Sequence, residues 1–146
     1  AASLFAFILW NWSPAKLFMG DSGSTFLGAF YCGVILSSNN VPNAIGILLI
    51  GSPLWFDAFT CVIRRTFKRH RIFSPHKLHL YQRLNQAGWS HSLISFIYIV
   101  FSFLLGLIYL NLGLSYLILG CLVMLIYGIF LDFKYAMPFC ANKILD

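Results

Sequence analysis

Asp21 is the only acidic side chain in the first 56 residues, and it stands in PAKLFMGDSGSTFLG, residues 14–28, among Gly20, Gly23, Ser22 and Ser24. A carboxylate is a hard oxygen ligand of the kind Mg²⁺ takes, and the backbone N–H groups of a helix start attract anions; together they suit a metal-bridged diphosphate. The competing use is an aspartate that only caps the next helix, the commonest role of Asp in such a context. A second constellation lies in residues 64–91. His76 and His79 lack the third ligand that a metal site wants. Beside Lys77 and Arg83 they fit better as donors to phosphate oxygens, with arginine offering a planar fork. Asp57 lies seven residues before Arg64 and four after Pro53. Deep in an apolar helix it would face the bundle interior or a wet cavity; at the boundary it would only be neutralised by nearby arginines.

The elements that must carry these side chains are apolar. Of 146 residues, 60% are hydrophobic and 10% charged, with a mean hydropathy of +0.80, whereas a soluble domain carries roughly 25% charged residues. The chain is therefore a membrane protein. Stretches at about 25–36, 44–63, 93–110 and 114–131 approach the roughly 20 residues that cross a bilayer at about 1.5 Å each, the first only when taken as 22–38. AASLFAFILW resembles the tail of a further span, since it starts without methionine or a basic flank. The expected fold is all-α: one domain over 1–146, a polytopic transmembrane helix bundle of four full or near-full spans plus a truncated first one, with a short amphipathic cytoplasmic helix.

All ten Lys and Arg residues fall in three segments, and the connections SSNNVPN and YLNLGLS carry no charge. Alternating spans put every basic residue on one side, the cytoplasm by the positive-inside rule. The polar chemistry then sits in two cytoplasmic loops, about 11–24 and 64–91. Within the second, Ser74 as N-cap, Pro75 in the first turn and Gly88 as the stop predict a helix. His76, His79, Arg83 and Gln86 share one face and Leu80, Leu84 and Ala87 another, so the helix should lie on the membrane surface with its cationic row exposed. Pro53 should free the Leu49 carbonyl and bend its helix. RRTFKRHR, residues 64–71, reads as a stop held by anionic headgroups, and no nucleic-acid-binding fold accompanies it. Cys32, Cys61, Cys121 and Cys140 form no motif and read as packing residues. His91 reads as an interfacial residue.

Taken together, the two polar segments resemble a known family. NWSPAKLFMGDSGSTFLG, residues 11–28, closely resembles the Asn-x-x-Pro-Ala-x-x-Phe-Met-Gly-Asp-x-Gly-Ser-x-x-Leu-Gly signature of the polyprenyl-phosphate N-acetylhexosamine-1-phosphate transferases, membrane enzymes of glycosyltransferase family 4. SPLWFDAFTCVIRR and SPHKLHLYQRLNQAGWSH are similar to that family's Pro-x-x-x-Asp helix, arginine pair and histidine loop. The resemblance implies that Asp21 is a catalytic residue and binds Mg²⁺, with Mn²⁺ as the alternative, and that His76 and His79 are catalytic residues contacting the sugar-nucleotide diphosphate. It also implies substrate-binding roles for Asn11, Lys16, Gly20, Ser22, Gly23, Ser24, Arg64, Arg65, Lys77, Gln82 and Arg83. Many relatives carry adjacent histidines; here Lys77 and Leu78 intervene and Tyr81-Gln82 follow, which resembles the subgroup serving surface-polysaccharide, lipopolysaccharide or O-antigen synthesis. The family's earlier Asp-Asp motif does not occur in this chain. About six preceding spans are expected to lie outside it, and the chain alone is expected to be inactive.

The implied reaction is transfer of a HexNAc-1-phosphate from a UDP-sugar to undecaprenyl phosphate with release of UMP, in a multi-pass protein of the bacterial inner membrane. Its partners would be UDP-HexNAc, undecaprenyl phosphate, the lipid bilayer and a second copy as a homodimer, with no nucleic acid. A competing reading is part of a transporter or channel in which Asp57 and a proline-broken helix line a polar path.

Overall fold

The computed structural model describes residues 2–12, 14–68 and 77–139. Among the described residues seven helices follow one another: α1 (Ala2–Asn11), α2 (Gly20–Leu36), α3 (Val41–Ile50), α4 (Ser52–Phe67), α5 (Leu80–Gln86), α6 (His91–Leu112) and α7 (Leu114–Lys134). No strand occurs among the described residues. The chain divides into two compact units, Ala1–Ile47 and Leu48–Asp146.

In the first unit, α1 and α2 bury no residue. The connection between them folds back on the end of α1: the Trp10 carbonyl accepts from Lys16 N–H at 2.9 Å and Leu17 N–H at 3.2 Å, and Asn11 Nδ2 donates to the Leu17 carbonyl at 2.8 Å. Tyr31 Oη donates to the Ile47 carbonyl at 2.5 Å and ties α2 to α3.

The second unit has a packed interior. Helices α6 and α7 are joined through Gly113 alone and run antiparallel around Leu105, Leu117, Cys121 and Met124. Gly120 brings them close: Leu105 Cδ2 and Ile108 Cδ1 lie 3.1 and 3.2 Å from where its Cβ would stand. Small residues play this part in membrane helix pairs, where van der Waals contact drives association.

α6 and α7 are each long and apolar enough to cross a membrane, and α3 with α4 qualifies as a third span when the pair is counted together. That pair is bent by 75°. The bend expected at Pro53 is thus a full break: Gly51 caps a new helix and Pro53 falls in its first turn, where a missing N–H has no intrahelical partner to lose. The Leu49 carbonyl, four residues before the proline, receives Cys121 Sγ at 3.7 Å. Ser52, fully buried, faces Cys121 Sγ at 3.5 Å. The 17 residues of α2 would rise about 25 Å, short of the roughly 30 Å hydrocarbon layer.

α5 departs from expectation at both its start and its exposed face. Ser74 and Pro75 lie outside the described residues, but Lys77, Leu78 and His79 are not helical, and His79 has extended backbone (φ −60°, ψ 150°) as the N-cap. The expected exposed row is broken at its centre: Arg83 is 4% exposed, beside the buried Leu84, while His79 is half-buried, Gln86 is exposed and His76 lies outside the described residues. The stop at Gly88 holds. With φ +97°, Gly88 donates to the Asn85 carbonyl and Trp89 to the Leu84 carbonyl, and Trp89 packs on the Leu84 cluster. This is a Schellman ending, which favours glycine because a Cβ is strained at positive φ.

Candidate functional site

Two groups of candidate side chains form, each within its own unit. In the first, α2 starts at Gly20, whose φ of +67° lets the chain turn abruptly into the helix. Asp21 sits in the first turn, one residue past the helix start, and makes no side-chain cap. It is exposed, and no hydrogen bond or ion pair engages its carboxylate among the described residues. Ser22 and Ser24 lie inside the helix, and Ser24 Oγ donates to the Asp21 carbonyl at 3.0 Å. The Met19 side chain covers Gly23, where a Cβ would collide with it. Asn11 ends α1 and Lys16 lies in the connection that follows it, Lys16 Nζ lying 5.9 Å from the centre of the Trp10 ring.

In the second unit the chemistry gathers where α4, α5, α6 and α7 meet. A cavity of about 100 Å³ is bounded by apolar side chains such as Phe56, Phe101 and Met124, and by Asp57, Arg83 and Asp132. Asp57, 8% exposed, accepts from Leu80 N–H at 2.8 Å through Oδ1 and from Tyr98 Oη at 3.1 Å through Oδ2. His79 Nδ1 lies 3.8 Å from Oδ1. A buried carboxylate is tolerated when donors of this kind replace its water. The His79 ring stacks on Tyr81 at 5.6 Å, and Gln82 Oε1 accepts from His79 N–H at 3.3 Å. Burial, reinforced by the Asp57 charge, pushes the Tyr81 hydroxyl above its ordinary value and keeps it a neutral phenol.

Arg83 is turned inward. Its guanidinium pairs with Asp132, which also pairs with Arg64, and its Nη1 donates to the Met137 carbonyl at 2.9 Å. Burial and the neighbouring Arg64 lower its pKa from the ordinary arginine value. The Phe139 ring lies beneath three cations, with Lys68 Nζ at 4.9 Å, Arg83 Cζ at 5.4 Å and Arg64 Cζ at 5.9 Å, a cation–π arrangement that keeps like charges close to an electron-rich face. Arg65 is 2% exposed, whereas Lys77 is exposed. His76 lies outside the described residues. Among the described residues no three His, Cys, Asp or Glu side chains form a cluster that could hold a metal by themselves.

Asp132, Tyr98 and Phe139 had no assigned role in the sequence. A hydroxyl deep in the apolar run of α6 and a carboxylate two residues before Lys134 were the signals for the first two; Phe139 carried none. Cys61 and Cys121 are buried free thiols and Cys32 an exposed one. His91 begins α6 and is exposed.

Residues 1–39 match glycosyl transferase family 4. The chain is similar to the probable undecaprenyl-phosphate N-acetylglucosaminyl 1-phosphate transferase of Bacillus subtilis, 37% identical over 109 residues that cover 68% of this chain and 29% of that protein. It is also similar to the phospho-N-acetylmuramoyl-pentapeptide-transferase of Helicobacter hepaticus, 35% identical over 95 residues covering 63% of this chain and 25% of the relative. A third relative, the decaprenyl-phosphate N-acetylglucosaminephosphotransferase of Mycobacterium tuberculosis, is 32% identical over 106 residues, covering 62% and 26%. The match therefore spans between 25% and 29% of the length of these three relatives. No solved structure matches the chain.

Proposed function

Because this chain belongs to glycosyl transferase family 4, we propose that it forms part of an enzyme that transfers a HexNAc-1-phosphate from a UDP-sugar to undecaprenyl phosphate, the initiating step of cell-wall or surface-polysaccharide synthesis. The observation that carries this reading is the Asp21 carboxylate: exposed, unengaged among the described residues, and inside the segment that matches the family. An oxygen of the lipid phosphate attacks the β-phosphorus of the UDP-sugar, the bond from that phosphorus to the bridging oxygen breaks, and UMP leaves. Both reactants are anions, so catalysis rests on positioning and on charge.

Asp21 fits Mg²⁺ as one hard oxygen ligand, since this cation is commonly held by one or two carboxylates together with substrate phosphates. When bound, the ion supplies positive charge against the diphosphate. His79, the N-cap of α5, and the exposed Lys77 two residues before it are the donors this stretch offers to phosphate oxygens. Arg64 and Arg83, held by Asp132, serve by fixing α5 in place.

The membrane arrangement that suits this chemistry has α2 as a fourth crossing, with 11–24 and 64–91 on the cytoplasmic face of the bacterial inner membrane, where a soluble nucleotide sugar meets a lipid phosphate. Asp21→Asn and His79→Ala in the whole protein test the reading. Each is expected to lower Mg²⁺-dependent UMP release by about 100-fold, the scale of losing one electrostatic group at a reacting centre. Near-normal rates in both variants would overturn it.

A further inference from the structure

Helix α5 has 7 residues, too few to keep its shape alone, since isolated helices shorter than about 12 residues are marginal in water. Its place depends on what grips it from outside. On one side Asp57 of α4 accepts from Leu80 N–H at 2.8 Å. On the other lies the chain that leaves α7. Tyr135 and Ala136 both donate to the Leu131 carbonyl, which closes α7. Pro138 then disfavours helical backbone at Met137 and has no N–H of its own, so the helix does not resume. The backbone of Met137 turns to α5 instead: its N–H donates to the Arg83 carbonyl at 3.3 Å, and its carbonyl accepts from Arg83 Nη1 at 2.9 Å. Tyr135 packs on Trp89, just past the end of α5, with ring centres 5.6 Å apart. Phe139 reaches the opposite end, buried with Cys61 of α4 and with Leu78, the residue before the N-cap.

We infer that residues 135–139 are a strap that fixes α5, and that Phe139 is the positioning residue through which the stretch from Lys77 to His79 is held ready for a nucleotide-sugar diphosphate. This rests on the proposed role of that stretch. Leucine would fill the space at 139 nearly as well as phenylalanine; what the ring adds is its face. Lys68 Nζ at the end of α4, Arg83 Cζ on α5 and Arg64 Cζ on α4 lie 4.9, 5.4 and 5.9 Å from its centre. Like charges on two elements push those elements apart. Asp132 pairs with Arg64 and Arg83, and an electron-rich face among all three cations offsets further repulsion. The ring thus joins α4 to α5 at the point where charge would part them. Phe139 also lines the cavity beside Leu78, Arg83 and Asp132, so removing it opens space directly behind the start of α5.

Phe139→Leu in the whole protein keeps apolar bulk and removes the ring face, and Phe139→Tyr restores the face. In hydrogen exchange read by mass spectrometry, Phe139→Leu is expected to speed exchange of the α5 amides by about 10-fold, the scale of losing one cation–π contact from a locally opening segment. Amides of α6 and α7 around Leu105 and Leu117 should keep wild-type rates, and Phe139→Tyr should return α5 to them. In steady-state UMP release the same leucine variant is expected to raise KM for UDP-N-acetylglucosamine by about 10-fold, with kcat and KM for undecaprenyl phosphate within about threefold. Wild-type exchange across α5 in Phe139→Leu overturns the strap whatever the enzyme does. Faster exchange with an unaltered KM overturns the positioning role; if Asp21→Asn and His79→Ala then also turn over normally, the proposed reaction has failed as well. If Phe139→Leu does not fold, a fluorinated phenylalanine at 139 keeps the shape while drawing electrons from the face, and must itself speed α5 exchange; rates identical to wild type overturn the inference equally.

Discussion

Asp21 and Arg83 were both singled out from the sequence for contact with a charged substrate, and the fold treats them in opposite ways. Asp21 stays exposed because α2 begins at Gly20 and buries no residue among the described residues. Arg83 is drawn in by Asp132, 49 residues further along the chain, and by the carbonyl of Met137. Helical periodicity near residue 83 holds no information about either partner, so the cationic row was placed on the surface. Asp132→Ala leaves Arg83 buried without its counter-charge, and breaking a buried pair by removing one partner is costly. The expected loss is about 3 kcal/mol, read from thermal unfolding of the purified protein in detergent. Adding Arg83→Met should recover much of it, because an apolar pair of similar volume avoids the stranded charge. A double variant no more stable than Asp132→Ala would refute the buried-pair account.

At the scale of elements, local signals were sound where local geometry decides. Gly88 ends α5 because its positive φ lets its own N–H reach the Asn85 carbonyl and the Trp89 N–H reach the Leu84 carbonyl. Gly88→Ala should cost about 1 kcal/mol through the left-handed backbone alone. In a thermal melt it should lower Tm while leaving far-ultraviolet helix content unchanged. Retained Tm would mean that α5 does not end this way. Pro53 was legible as a disturbance, but a proline specifies only the lost N–H and not what the chain does next. The break became stable because Cys121 reaches the Leu49 carbonyl and Ser52 is buried against α7. The start of α5 was misplaced for a related reason. Asp57, 23 residues upstream of Leu80, supplies the acceptor there, and a short helix begins where its donors are satisfied.

At the scale of the whole molecule, the second unit brings Arg64, Lys68 and Arg83 around Phe139, and Lys134 lies by Phe130 and Tyr135 at the same end of α7. Basic residues from three parts of the chain thus share one end of the helix bundle of that unit, as charge bias along a multi-span chain requires. In a background without native cysteines, Asn39→Cys should react with a membrane-impermeant maleimide in intact cells. Lys77→Cys should react only after the membrane is permeabilised. The reverse pattern would invert the proposed orientation. Apolar runs near the length of a bilayer marked α6 and α7 without ambiguity, and both helices are long enough to cross. The run at 44–63 was read as one span and is two helices meeting at 75°.

The sequence by itself determined that the chain is an all-helical membrane protein of glycosyl transferase family 4, and it marked Asp21 as a candidate metal carboxylate whose competing use was helix capping. Those conclusions rest on composition, on the length of apolar runs and on a motif contiguous in the chain, all of which survive without knowledge of what packs against what. Only the tertiary structure decided that Arg83 faces Asp132, that Phe139 lies beneath three cations, and that Asp57 reaches His79, Leu80 and Tyr98. Each of these depends on partners tens of residues apart. A buried charge must find its counterpart wherever the packed helices bring one, and spacing along the chain does not encode that meeting.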